Sequence, residues 1–403
     1  MSIPSRRARP GFLLVLQREL RWIRRRPALT FMTLVFPLSL FGFLAAVFYA
    51  GLPADLPVAV LDKDRSTLSR QVIRMIDATL DASVAYRVED LTAGRELILQ
   101  GKVYAVVMIP ANLERDVAAG RRPDIVVFYN NQFMTAGSIL SRAIGDALAN
   151  AAAGAGISAQ TKRGEPFQSA QASLTPIPIQ QSPLFNPSLN YVYFLLAALI
   201  PAILQIFICA ASAYSIGLER SSIANMRVLT RLGGGIAPAM FGKLLPYTLA
   251  FSATLWIADA MLFGYLGTPF RGDWRLLAVS GILFVVAYQL IGSLFSLVGR
   301  DLVQALGFAG IYTAPSFGFI GVSFPRSAMP PFAQVWGALL PVTWYMQIRI
   351  DQTLRGAPIA ESLRPLGYLA LTVAILTILA VLRLLQLRRA RLRAAGSIKE
   401  ATA

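Results

Sequence analysis

The chain has 403 residues, is 55% hydrophobic, has a mean hydropathy of +0.56 and carries a formal net charge of +17. That is too apolar for an ordinary soluble protein and fits several membrane spans plus one polar domain. Histidine is absent and cysteine occurs once, at Cys209, which excludes a disulfide within the chain, argues against a thiolate or imidazole metal site, and removes the commonest general base.

Residues 1–27 are strongly basic, with Arg6, Arg7, Arg9, Arg18, Arg21, Arg24, Arg25 and Arg26. Phe12, Leu13, Leu16, Leu20 and Ile23 recur at helical spacing, which predicts an amphipathic helix at the membrane surface with its basic face on anionic headgroups. A signal-peptide n-region is the competing reading. The apolar run 28–50 that follows is too long for a cleaved segment and predicts an uncleaved first span with its amino end in the cytosol.

Residues 51–190 read as an extracytoplasmic α/β domain and linker. The stretch 51–183 holds as many acids as bases. Short β-rich runs at Pro57–Leu61, Val84–Val88, Tyr104–Ile109 and Ile125–Tyr129 alternate with helical periods at Ser66–Leu80, Leu91–Gln100, Asn112–Ala119 and Ala136–Ala153. This alternation predicts a largely parallel sheet. Ser66 and Asn112 are the expected caps, and Gly101 and Gly120 the expected helix ends. Residues 161–190, with Pro176, Pro178, Pro183 and Pro187, read as a linker.

The remainder, 191–387, predicts a five-helix transmembrane domain. Spans are expected at about 191–217, 244–267, 276–298, 302–322 and 365–387, making six with the first. Between the second and third lies a basic interruption, 218–243, with Arg220, Arg227, Arg231 and Lys243 against Glu219. A short basic loop between spans is expected on the cytoplasmic side. Residues 323–364 are broken by Pro325, Pro330, Pro331 and Pro341 yet carry Phe332, Trp336, Leu339, Trp344 and Tyr345. They predict short re-entrant or interfacial helices on the outer side. The tail 388–403, with Arg388, Arg389, Arg391 and Arg393, is a further cytoplasmic marker. Both termini are therefore expected in the cytoplasm. The positive charge flanks apolar runs, which favours this pattern over nucleic-acid binding.

Chemistry-bearing residues are few. Asp62 and Asp64 form either a divalent-cation pair at a strand end or a turn leading into a helix cap. Asp259 is the single acid within a predicted span and reads either as part of a substrate pathway or as a residue reaching interfacial water or a partner such as Arg271. Gln205 and Gln289 read as interhelical hydrogen bonders or as lining of that pathway. Pro201, Pro246 and Pro315 are expected to kink their helices. A phosphate loop needs G-x-x-x-x-G-K-[ST]; at Gly242-Lys243 the first glycine would fall on Ala237 and the next residue is Leu244. No nucleotide site follows, so ATP chemistry would belong to another chain.

The ordered motifs resemble the permease subunit of type-2 ABC exporters, in the subgroup with a large extracytoplasmic domain after the first span. The resemblance rests on the Glu219-Arg220 pair after the second span and FGKLLPY (Phe241–Tyr247) opening the third. Phe263-Gly264 with Pro269 closes that span, and FPRSAMPPFAQ (Phe324–Gln334) is followed by LLPVTWYMQI (Leu339–Ile348) and Leu354–Gly356. It implies a polytopic α-helical protein of the bacterial inner membrane that moves a drug-like, lipid or other amphipathic substrate. It implies a dimer with a second permease copy or paralogue, and separate cytosolic ATPase subunits that bind ATP and Mg. A periplasmic adaptor and outer-membrane channel are further expected partners. Glu219, Arg220, Arg227, Arg231 and Lys243 would couple to the ATPase. A membrane-anchored receptor built around the α/β domain is the alternative, for which six spans are excess. A membrane enzyme is a third, disfavoured by the missing histidine.

Overall fold

The structure is a computed structural model that describes residues 10–49, 54–119, 121, 123–130, 134–162, 185–186 and 190–401. Most of the proline-rich linker, including Pro176, Pro178, Pro183 and Pro187, lies outside the described residues with Arg6, Arg7, Arg9 and Gly120, as do the side chains of Arg388, Arg391 and Arg393. The chain divides into two units, 52–182 and the remainder.

Helix α1 (Phe12–Arg25) is amphipathic. Val15 and Glu19 are its buried residues, while Phe12, Leu13 and Leu20 are exposed. The reason is that α1 packs on other helices of its own unit through the Val15–Glu19 line and leaves the bulkier apolar line outward. Helix α2 (Phe31–Phe48) follows, opening with a π turn over Phe31–Val35.

The α/β unit holds β1 (Leu56–Asp62), α3 (Thr67–Asp77), β2 (Ala82–Arg87), α4 (Leu91–Leu99), β3 (Ala105–Ile109), α5 (Leu113–Ala118), β4 (Val126–Tyr129) and α6 (Met134–Lys162). Strand order is β2-β1-β3-β4; β1 pairs in parallel with both neighbours and β4 is antiparallel to β3. Helices cover both faces, so β1 is buried along nearly its whole length and reads as a continuous apolar run rather than an alternating one. Gly94 lets α4 lie close on Val106: a Cβ there would stand 3.1 Å from its methyl group. Ser66 caps α3 by accepting from the Ser69 N–H. Asn112 does not cap α5: it sits in the left-handed region at φ 63° and makes no capping hydrogen bond. Asp64 Oδ2 accepts the Glu114 N–H instead, because α5 starts against the β1–α3 turn.

The membrane unit continues with α7 (Val192–Arg220), α8 (Ile223–Gly233), α9 (Ile236–Tyr265), α10 (Trp274–Val298), α11 (Leu302–Thr313), α12 (Pro331–Ala338), α13 (Pro341–Ile350) and α14 (Ile359–Ala401). Five helices among the described residues are long and apolar enough to cross a membrane: α2, α7, α9, α10 and the Ile359–Leu387 part of α14. The expected span over 302–322 is built differently. α11 has 12 residues and passes into a 3-10 turn at Ala314–Gly318, where Pro315 lacks the N–H for an α-helical bond. Pro201 and Pro246 sit inside α7 and α9, which run on through them. The expected loop 218–243 is mostly helical. Met226 and Leu229 of α8 give it a buried line, and Gly234 at φ 73° closes it.

α7 and α10 are in backbone contact: a Cβ on Gly292 would stand 2.2 Å from the Cys209 carbonyl oxygen. The free Cys209 is buried in this seam. Asp273 and Asp301 cap α10 and α11 respectively. In the proline-broken region Phe332 and Leu339 are exposed. Tyr345 is not: it is fully buried and stacks on Phe284 at 4.7 Å, because α13 inserts its inner face between α7 and α10.

Candidate functional site: a buried ion cluster under α8

The chain segment α7–α8–α9 returns to α1 at one end of the helical unit. The Gly11 N–H donates to the Leu232 carbonyl at 2.9 Å, tying the start of α1 to the end of α8. Val15 of α1 packs with Met226 and Leu229 of α8 and Ala239 of α9. Gly242 permits the approach, since a Cβ there would lie 2.4 Å from the Phe12 carbonyl oxygen.

Beneath this contact four charged side chains meet. Lys243 Nζ donates to Glu19 Oε2 at 2.8 Å and to Glu219 Oε1 at 3.1 Å. The Arg18 guanidinium stands 2.8 Å from Glu219 Oε1 and donates to Oε2 at 3.2 Å. Glu19 Oε1 accepts from the Tyr247 hydroxyl at 2.8 Å and from Ser215 Oγ at 3.2 Å. Glu19, Glu219 and Lys243 are fully buried; Arg18 keeps 22% of its side chain in contact with the exterior. The Trp22 ring lies 4.8 Å from Lys243 Nζ and 4.2 Å from the Arg26 guanidinium carbon. The cluster holds two acids and two bases, so it is neutral and each buried charge is paired. Glu219 lies in the last turn of α7, where the helix dipole disfavours an acid, and its two cationic partners offset this.

The five residues expected to contact a partner thus separate. Glu219 and Lys243 are interior. Arg220 donates to the carbonyls of Ser296, at the end of α10, and Arg300, the latter at 3.2 Å. Arg227 and Arg231 are exposed, one turn apart on the outward face of α8. Sequence reasoning missed Glu19. The available signal was that it is the only acid before Asp55, in a stretch otherwise charged by arginine alone.

A second buried ion pair lies within the bundle. Asp259 Oδ1 accepts from Arg349 Nη2 at 2.5 Å, so its partner is Arg349 and not the expected Arg271. Arg271 belongs to the turn that packs on Gly356, whereas Arg349 of α13 faces α9. Arg349 Nε also donates to the Ala197 carbonyl at 3.2 Å. That carbonyl would accept from residue 201 in an ideal helix; Pro201 has no N–H, and Arg349 takes its place. Gln205 Nε2 donates to Ser316 Oγ and to the Thr313 carbonyl, the latter at 3.4 Å. Gln289 accepts from Thr248 Oγ1 at 2.8 Å and donates to the Leu244 carbonyl at 3.3 Å. Both glutamines join helices. Asp62 is committed to a turn: it accepts from the Asp64 and Arg65 N–H groups and from Ser69 Oγ.

A span-rich helical unit with an apolar core, a basic turn helix braced on an amino-terminal helix, and proline-led short helices before its last span defines a multi-pass membrane transport protein. The family model described as ABC-2 family transporter protein matches residues 27–382, and the chain belongs to that family. It is similar to the inner membrane transport permease YhhJ of Escherichia coli (strain K12), 23% identical over 308 residues that cover 75% of this chain and 77% of the relative. The protein of the same name from Shigella flexneri matches equally. No solved structure matches the chain significantly. Membership makes the chain a transport permease rather than a catalytic enzyme, and the family works in association with an ATP-binding subunit.

Proposed function

We propose that this chain is the membrane-spanning half of an ATP-binding-cassette exporter of the bacterial inner membrane. Two copies, or one copy and a paralogue, move a drug-like, lipid or other amphipathic substrate outward, and separate cytosolic subunits bind ATP and Mg and supply the work. The observation that carries this reading is the cluster under α8. A helix that must pass on a push has to be braced, and α8 is braced on α1, α7 and α9 through buried charges. Exposed Arg227 and Arg231 form the face offered to an ATPase.

Six crossings suit this reading. α11 and its 3-10 turn together reach about 28 Å, close to the hydrocarbon thickness. With six crossings both termini and α8 face the cytoplasm, and the α/β unit lies outside, where a periplasmic adaptor leading to an outer-membrane channel would meet it. Gln205, Asp259 and Gln289 remain the polar groups nearest a substrate route, and each would have to release a neighbouring helix to meet a substrate.

Co-purification tests the proposal. The chain co-expressed with a candidate ABC ATPase subunit from the same organism should retain that subunit, and R227E/R231E should lose most of it without changing the chain's own yield. Equal recovery of the ATPase with the double variant would sink the assignment of α8 as the docking face.

A further inference from the structure

The first two turns of α14 and the outward side of α13 enclose a cleft of about 470 Å3, lined by Trp344, Gln347, Glu361, Arg364 and Tyr368. Nothing in the transport reading uses it. Its chemistry is unusual for a membrane-facing surface because it carries both charges beside an aromatic wall. The Trp344 and Tyr368 rings lie 4.5 Å apart, and the Arg326 guanidinium stands 5.2 Å from the Trp344 ring centroid.

Glu361 and Arg364 are three residues apart on one helix, near enough to pair. No ion pair joins them among the described residues; Arg364 Nε donates instead to the Tyr368 hydroxyl at 3.3 Å. An acid and a base are therefore presented side by side, each with bonding capacity left for a ligand. A ligand that carries an anion and a cation a few ångströms apart satisfies both.

The depth of the cleft identifies the ligand class. Along α14 the uncharged run is bounded by Arg364 at one end and Arg383 at the other. Eighteen residues of helix lie between them and the two sites are about 28 Å apart, which is the thickness of a hydrocarbon layer. Glu361 and Arg364 then lie at headgroup level. Below them α14 is the least buried of the span-length helices, with 11% of its apolar window covered, and exposes Leu371, Ile375 and Ile378. A headgroup in the cleft has a greasy face beneath it along which acyl chains can run.

We propose that this cleft binds the headgroup of a zwitterionic aminophospholipid. Arg364 donates to the phosphate. Glu361 accepts from the ammonium. Lipid from the outer leaflet occupies it; only the choice of leaflet rests on the orientation given under the proposed function.

The test uses the full-length chain in detergent, mixed with equal phosphatidylethanolamine and phosphatidylglycerol, with bound lipid counted by native mass spectrometry. One phosphatidylethanolamine per chain should be retained in preference to phosphatidylglycerol, which carries the phosphate without the ammonium. E361Q should erase the preference. R364Q should weaken retention of both lipids by about fivefold or more. R389Q, at the far end of the same helix, should leave both unchanged. Equal retention of the two lipids by the unaltered chain, no retention of either, or a preference that survives E361Q would overturn the site. None of these readouts depends on which way the chain crosses the membrane, so a failed orientation and a failed site are separable.

Discussion

At the scale of single residues, Lys243 is the charge on which the buried cluster depends. It touches both acids, and Glu19 has no other cation within ion-pair distance among the described residues. Replacing it with methionine leaves Glu19 buried with only Tyr247 and Ser215 as partners, while Glu219 keeps Arg18. K243M is expected to cost about 3–5 kcal/mol. The double variant K243M/E19Q removes the stranded charge and should recover part of that loss, so the two substitutions will not be additive. Melting of the purified chain in detergent checks this. If K243M melts like the unaltered chain, or the double variant melts below it, the cluster is not held as described.

At the scale of elements, two close helix crossings organise the membrane unit, and both depend on a missing side chain. Gly292 lets α10 lie against the Cys209 carbonyl of α7, and Gly242 lets α1 lie against α9. In each case a Cβ would collide with backbone, which cannot swing aside as a side-chain tip can. G292V should therefore push α10 from α7 and cost about 1–3 kcal/mol. The displacement should also make the buried Cys209 thiol reactive. Labelling by a membrane-permeant maleimide should be negligible for the unaltered chain and rise in G292V. A Cys209 that stays unreactive in G292V would show that the crossing tolerates the bulk. Pro201 makes a related point: removing one backbone donor from α7 creates an acceptor that Arg349 fills, so α13 is held by a defect in its neighbour's helix.

At the scale of the whole molecule, the working claim is the direction of the chain through the lipid. Cys209 is buried and is the only cysteine, so added cysteines report cleanly. N225C on α8 should be labelled by an impermeant reagent only from the cytoplasmic side, and Q100C in the α/β unit only from the opposite side. Labelling of either from the wrong side would overturn the six-crossing arrangement and with it the role of α8.

The apolar runs, the basic segments between them and the alternating strands and helices of the α/β unit were legible because each is a local pattern. Hydropathy over about twenty residues and β-rich runs flanked by turns need no partner to be recognised. Ser66 and Gly101 could be assigned from position alone, since a cap bonds within its own turn. The breaks came where the outcome depends on what packs alongside. That α8 and α9 cover the Val15–Glu19 side of α1 could not be read from its spacing. Asp259 could be singled out as a lone acid, but its partner Arg349 is 90 residues away and no local pattern marks it. Glu19 was missed for the same reason: its partners Ser215 and Lys243 are 196 and 224 residues away. Composition and periodicity marked a membrane chain with one polar α/β unit, and the ordered motifs carried the family resemblance. Only the tertiary structure decided which charges are buried together, because a buried ion is tolerated solely when distant segments bring its counter-charge to it.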